Sequence, residues 1–285
     1  MLSAIWRLVR DAVLAFVADE ALSRGAAIAF YSVTSLAPVL FTVVAIGGLA
    51  FGEDAARGAV TAQLAGLTGK ESADLVQAAL QGAARRRDSI LASMIGAVAL
   101  LVTASGVFGE MQSALNVIWK AQPRAMTVSR LVRARMVSLG LVAALGFLLL
   151  VSLVISALLA ALGSWLGSSQ LLGKLVLEVL NFIISYLMIG LMFAAIYKVL
   201  PDVRLAWRDV VVGAILTAVL FNLGKALIAL YLARSAVASS YGAAGAVIIL
   251  LLWIYYSAQI FLFGAELTKV YAARRGTQAA RQALA

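Results

Sequence analysis

Long apolar runs separated by short basic stretches set the pattern of this chain. Six runs fall at about 25–51, 90–109, 136–163, 175–199, 210–233 and 243–267. Each reaches the roughly 20 residues that a helix needs to cross about 30 Å of hydrocarbon. None breaks into the alternating blocks of about ten residues that mark a membrane β-strand. The pattern predicts an all-α membrane protein of six transmembrane helices.

Two further segments carry a different period. In the first, residues 1–24, Leu2, Ile5, Trp6, Val9, Val13, Phe16 and Val17 recur at helical spacing, with Arg7, Arg10 and Asp11 mostly off that stripe. This predicts an amphipathic helix, either lying along a membrane face or packed under the bundle. It lacks the clean apolar core and small-residue cleavage site of a signal peptide. The second, residues 52–89, lies between runs one and two. Val60, Leu64 and Leu67 form one helical set, and Leu75, Val76, Ala79, Leu80 and Ala83 another, with GLTGKES between them. Two short helices with a Gly-marked break are expected here. The chain then divides into the N-terminal helix, a six-helix domain over 25–272 and a polar tail over 273–285.

Composition sharpens this. Of 285 residues, 64% are hydrophobic and 13% charged, against about 45–50% and about 25% in soluble domains. There is no cysteine and no histidine. That removes disulfides, thiolate nucleophiles and the commonest general base. No HExxH, GxSxG or phosphate-loop pattern occurs, so no enzyme activity, cofactor or metal is expected.

The net charge of +10 bears on orientation rather than nucleic acid. Fifteen Lys and Arg fall on the side of the two termini and seven on the other, with Lys225 inside a run. The positive-inside rule then puts both termini in the cytoplasm and residues 52–89 outside. The RRRD run at 85–88 is the exception.

Polar residues within the runs are the candidate functional groups. Asn222 and Lys225 share a face of run five, and Glu178 and Asn181 share one of run four. An unpaired lysine near mid-bilayer costs about 2.5–3.5 kcal/mol. Lys225 is therefore expected to face the bundle interior beside Glu178 or Asn181; the other arrangement snorkels it to the headgroups. A second layer lies towards the termini. Tyr255, Gln259 and Glu266 recur at i, i+4 and i+11 along run six, and Glu110 closes run two. This layer is either helix-end charge with interhelical hydrogen bonds, or a vestibule. Pro38, after Tyr31, Ser32, Thr34 and Ser35, predicts a kink, because proline removes a backbone donor. Gly106, Gly109, Gly242, Gly245 and Gly264 mark places of close helix approach.

Four ordered motifs carry a family resemblance: AAIAFYSVTSLAPVL, VFGEMQSALNVIW, YKVLPDVRLAWRDVVVGA and SSYGAAGAVIILLLWIYYSAQIFLFGAEL. Across about residues 5–272 the chain resembles the YihY/virulence factor BrkB family of bacterial inner-membrane proteins. The resemblance implies six spans with cytoplasmic ends. It makes Pro38, Asn116, Trp119, Pro201, Trp207, Gly213, Tyr241, Gly242, Trp253, Gly264 and Glu266 motif positions, without assigning them roles. It also brings an old label, a transfer-RNA-processing ribonuclease. The absence of histidine and the scatter of acids argue against that label.

The expected function is that of a transporter or permease for a small molecule or lipid. The alternative is a non-transporting envelope scaffold or lipid-organising protein. Membrane lipids are the expected partners, and nucleic acid is not.

Overall fold

The structure, a computed structural model, describes residues 2–68, 73–74, 77–78, 106–121, 171–203, 205–234 and 243–274, with single positions between 136 and 158. Every regular element among the described residues is a helix. In chain order they are α1 (Leu2–Ala18), α2 (Ala21–Phe51), α3 (Glu53–Thr68), α4 (residues 106–118), α5 (Leu171–Val199), α6 (Trp207–Arg234) and α7 (Ala243–Arg274).

Helices α5, α6 and α7 are long and apolar enough to cross a membrane, over Phe182–Val199, Trp207–Lys225 and Val247–Arg274. Their outer faces agree with that use. Phe182, Ile183 and Leu187 on α5, and Ile215, Val219, Leu223 and Leu227 on α6, are all exposed. A continuous apolar stripe of this kind is rare on a water-facing protein. Runs two and three lie largely outside the described residues. The described positions between 136 and 158, such as Met136, Gly140 and Leu158, are helical.

One expectation changes in the N-terminal part. The amphipathic segment is not one helix over 1–24: α1 stops at Ala18 and α2 begins at Ala21. The break is at Asp19-Glu20, where Glu20 takes a left-handed φ of 53°. A left-handed residue ends an α-helix, and a non-glycine there costs energy that tertiary contacts must offset. Helix α2 continues through Pro38, as a bent helix does as well as a straight one. The hydroxyls expected to serve the carbonyl freed by the proline bond further back instead: Thr34 Oγ1 donates to the Phe30 and Tyr31 carbonyls, and Ser35 Oγ to that of Ser32. The Pro38 ring itself lies outside the described side chains. Of the insertion, α3 is observed, and residues 73–74 and 77–78 are helical; the rest lies outside the described residues.

The core gathers where α2 begins, α5 ends, α6 begins and α7 ends. Ile28, Leu115, Trp119, Phe193, Tyr197, Leu200, Val210, Phe261 and Leu262 are buried there together. Helices α6 and α7 run antiparallel and close. A Cβ at Gly213 would lie 1.7 Å from Thr268 Oγ1, one at Gly264 1.9 Å from Thr217 Oγ1, and one at Gly224 2.4 Å from the Tyr256 hydroxyl. Glycine at these three levels lets a side chain of the facing helix reach the backbone. Gly106 likewise meets Tyr31 at 3.0 Å. At Gly109 no atom of the described residues comes within 4 Å of an added Cβ. Gly242 lies outside the described residues, as does the packing at Gly245.

Candidate functional site

A charge cluster is buried at the C-terminal end of α7. Its position follows from the way α1 and the α1–α2 turn dock on that helix. Ala12 packs against Leu267 and Val270. Phe16 meets Phe263 edge-on, with centroids 5.8 Å apart. Arg274 donates to Asp11 at 2.8 Å. The turn then delivers Asp19 to Lys269, whose Nζ donates to Asp19 Oδ2 at 2.9 Å. One turn back along α7, Glu266 Oε2 lies 2.7 Å from the same Nζ.

Burial makes this arrangement costly. Glu266 is 0% exposed, and the Lys269 and Asp19 side chains are 3% and 16% exposed. Two carboxyls share one ammonium. The Lys269–Glu266 contact is an ion pair without an aligned hydrogen bond, and neither Glu266 oxygen accepts one among the described residues. A buried carboxylate ordinarily takes two or more such bonds.

The polar stripe of run six leads to this cluster. Gln259, seven residues before Glu266, lies against the start of α2. Its Nε2 donates to the Leu22 carbonyl at 3.2 Å, and its Oε1 is buried without a donor. Gly25 makes the space: a Cβ there would lie 2.2 Å from Gln259 Nε2. Arg24 ties the turn down by donating to the Asp19 carbonyl at 3.2 Å. Tyr255 is half-buried, and so is Glu110 on α4.

A second polar clamp sits at the same end. Asn116, just before the end of α4, donates to Asp202 Oδ2 at 2.8 Å and accepts from the Asp202 backbone N–H at 2.8 Å. It thereby fixes the α5–α6 connection, in which Pro201 is buried. Lys198 closes that connection by donating to the Leu205 carbonyl, with its ammonium 5.2 Å from the centre of the Trp207 ring. Inside the core, the Tyr197 hydroxyl donates to the Phe261 carbonyl at 2.6 Å and lies 3.0 Å from Thr217 Oγ1.

Lys225 is elsewhere. It lies about ten residues, or about 15 Å, along α7 from the level of Glu266. Its side chain is exposed, which corrects the expectation of an interior lysine. It borders a narrow crevice with Phe221, Trp253, Tyr256, Ser257 and Ile260. The physical reason is that α6 presents this position to its rim with α7, where aromatic groups flank it. Asn222 turns back to its own helix, donating to the Ala218 carbonyl at 2.9 Å. The side chains of Glu178 and Asn181 lie outside the described residues, so the expected pairing with Lys225 does too. A larger cavity of about 620 Å³ is lined by Asp54, Arg57, Thr61, Asp74 and Gln77.

Of the cluster, the helical period pointed to Gln259 and Glu266. Asp19 and Lys269 were missed, because both fell among residues counted as aqueous flanks. The signal for them was a spacing: Lys269 follows Glu266 by three residues and so shares its face. No group of three or more His, Cys, Asp and Glu positioned to hold a metal occurs among the described residues.

Long apolar helices with lipid-compatible faces and a buried charge cluster define a helical membrane protein. The particular family follows from comparison: the family model described as virulence factor BrkB matches residues 12–285, and the chain belongs to that family. A UPF0761 membrane protein of Enterobacter sp. (strain 638) is 34% identical over 179 residues, covering 61% of this chain and 57% of the relative. UPF0761 membrane proteins of Yersinia pestis (strain Pestoides F) and Yersinia pseudotuberculosis (serotype O:1b, strain IP 31758) are each 30% identical over 178 residues, covering 62% of this chain and 58% of the relative. The matched part is therefore under two thirds of those relatives' length. No solved structure matches.

Proposed function

We propose that this protein is a transporter or permease of the bacterial inner membrane, with six spans and both termini in the cytoplasm. The observation that carries the reading is Glu266. It is a fully buried carboxyl that accepts no aligned hydrogen bond among the described residues and shares its ion-pair partner Lys269 with Asp19, on a helix long and apolar enough to cross a membrane. Ionisable groups in such helices are costly, and where they persist they mark pathways for ions or substrates. The basic excess on the side of the termini supports the orientation. It puts the cluster, with Asn116 and Asp202, at the cytoplasmic end.

The test is solute flux into proteoliposomes holding the purified full chain, screened against small-molecule and lipid panels. The expected result is saturable flux of one class, lost in Glu266→Gln and retained in Gly109→Ala. Empty-liposome rates throughout would overturn the reading. Fusion of a reporter at Ala285 is expected to report cytoplasm; a periplasmic signal would reverse the topology.

A second reading, a lipid-organising scaffold, draws on α1. Trp6, Val13, Leu14 and Val17 are exposed on that helix, and Arg7 and Arg10 are exposed beside them. This fits a helix resting in an anionic headgroup layer. Lipid binding without flux would favour this second reading.

A further inference from the structure

We propose that the Asp19–Glu266–Lys269 cluster is a proton-binding site, with the exchangeable proton held between the Glu266 and Asp19 carboxyls; its use as the coupling ion rests on the transport reading above.

The first argument is charge. Two carboxylates and one ammonium leave one negative charge uncompensated in a site almost closed to water. An isolated charge there is strongly disfavoured, and one added positive charge neutralises the set. The second argument is hydrogen bonding. Asp19 Oδ2 and Glu266 Oε2 converge on one ammonium, 2.9 and 2.7 Å from Lys269 Nζ, yet neither Glu266 oxygen accepts an aligned hydrogen bond among the described residues. Two facing acceptors need a hydrogen between them, as in paired carboxyls that share one proton. Lys269 meets both carboxyls, with its aligned bond to Asp19 Oδ2, but its single positive charge leaves the pair one short.

The proton belongs on Glu266. Asp19 is partly exposed and already accepts from Lys269, so it is the better carboxylate. With Glu266 neutral, Asp19 and Lys269 form a compensated pair, and the Glu266 hydroxyl donates to the Asp19 carboxylate. A larger cation fits less well. A metal cation needs several oxygen ligands and room for the ion, whereas the carboxylate oxygens placed here already close on an ammonium. A proton needs no room.

Other charged groups lie at this end. Asp11 is held by Arg274 and Arg10. Arg24 is bound to the Asp19 carbonyl. From α6 comes the buried Asp209, and from α4 Glu110. Lys269 is the cation at ion-pair distance from Glu266.

The experiment is an infrared pH titration of the full chain in detergent, from about pH 5 to about pH 8, paired with melting in sodium or choline salts. The expected result is a protonated-carboxyl band in the wild type that is lost in Glu266→Gln and changed in Asp19→Asn. Gln mimics the neutral acid in shape, and its amide can donate to Asp19. Glu266→Gln should therefore fold, and melt at least as high as the wild type at neutral pH. Should it fail to fold, Glu266→Asp serves in its place, with the band expected to shift. Absence of the band at every pH would overturn the site, as would melting that depends on sodium. If the band is present but no solute drives proton uptake in proteoliposomes, the site stands and the transport reading falls. If flux occurs without the band, the reverse holds.

Discussion

Gly264→Ala tests how α5, α6 and α7 are held together. The new Cβ would lie 1.9 Å from Thr217 Oγ1, 2.6 Å from the Tyr197 hydroxyl and 2.9 Å from Thr217 Cβ. Ordinary contact is about 3.5–4.0 Å, so side chains or helices must shift by about 1–2 Å. Neither hydroxyl is free to turn away cheaply. Thr217 Oγ1 donates to the Gly213 carbonyl at 2.7 Å, and Tyr197 donates to the Phe261 carbonyl at 2.6 Å. Overpacking costs about 1–3 kcal/mol, and each displaced buried bond adds about 1 kcal/mol. The expected loss is about 3–5 kcal/mol, a large share of a typical 5–15 kcal/mol.

The assay is thermal unfolding in one fixed detergent, where this loss should lower the midpoint by on the order of 10 °C. Gly109→Ala is the control. It adds the same atom to open space and should be neutral or slightly stabilising, since alanine favours helix by about 0.5–1 kcal/mol. Thr217→Ala removes the nearest obstructing atom, so the double variant should lose less than the two single losses added. Equal midpoints for Gly264→Ala and Gly109→Ala would refute the proposed packing.

Three other variants probe the same end of the bundle. Lys269→Ala leaves the Asp19 carboxylate without its counter-charge and should cost about 3–5 kcal/mol in the same melts; a loss under about 1 kcal/mol would show that water already screens the cluster. Asn116→Ala removes both bonds to Asp202, one of them to a carboxylate, and should cost about 2–4 kcal/mol; unchanged protease protection of residues 200–206 would count against the clamp. For Asp11, hydrogen bonds from Arg274 and Arg10 hold the carboxyl below its ordinary value of 3.8. Its contribution to docking α1 is then fully present above 3.8 and lost as pH falls through the lowered value. Cross-linking between engineered cysteines at Ala12 and Leu267, which share one buried cluster, should stay constant at neutral pH and weaken only in strong acid; weakening near neutrality would place the dependence on another group.

Legibility followed the physics of each signal. Apolar length revealed α5, α6 and α7, the described helices long and apolar enough to cross a membrane, because hydrocarbon thickness demands it. The expected ends fell short, since hydropathy stops where charge begins: α7 continues from the expected 267 to Arg274, carrying Lys269 inside the protein rather than into water. The break at Asp19-Glu20 had no glycine, proline or asparagine to announce it; the contacts of Asp19 and Arg24 hold it. Gly264 was readable as a small residue, but Thr217 and Thr268 were not, because a threonine gains that role only from the helix facing it.

Lys225 shows why cost alone misplaces a charge. The penalty for a lysine in hydrocarbon suggested an interior partner, yet a flexible four-carbon stem can meet that penalty from the rim by reaching headgroups. Glutamate has a shorter stem and no such escape. Glu266, closed in by α1, α2 and α6, must be neutralised where it stands. The inequality between the two stems therefore moves the site from the Lys225 layer to the end of α7, and it makes Glu266 the more sensitive position. Lys225→Met should leave both melting and the carboxyl band unchanged, while Glu266→Leu, which removes the carboxyl altogether, should abolish the band. A loss of the band in Lys225→Met would mean that the two layers are coupled across about 15 Å, and the separation argued from stem length would fail.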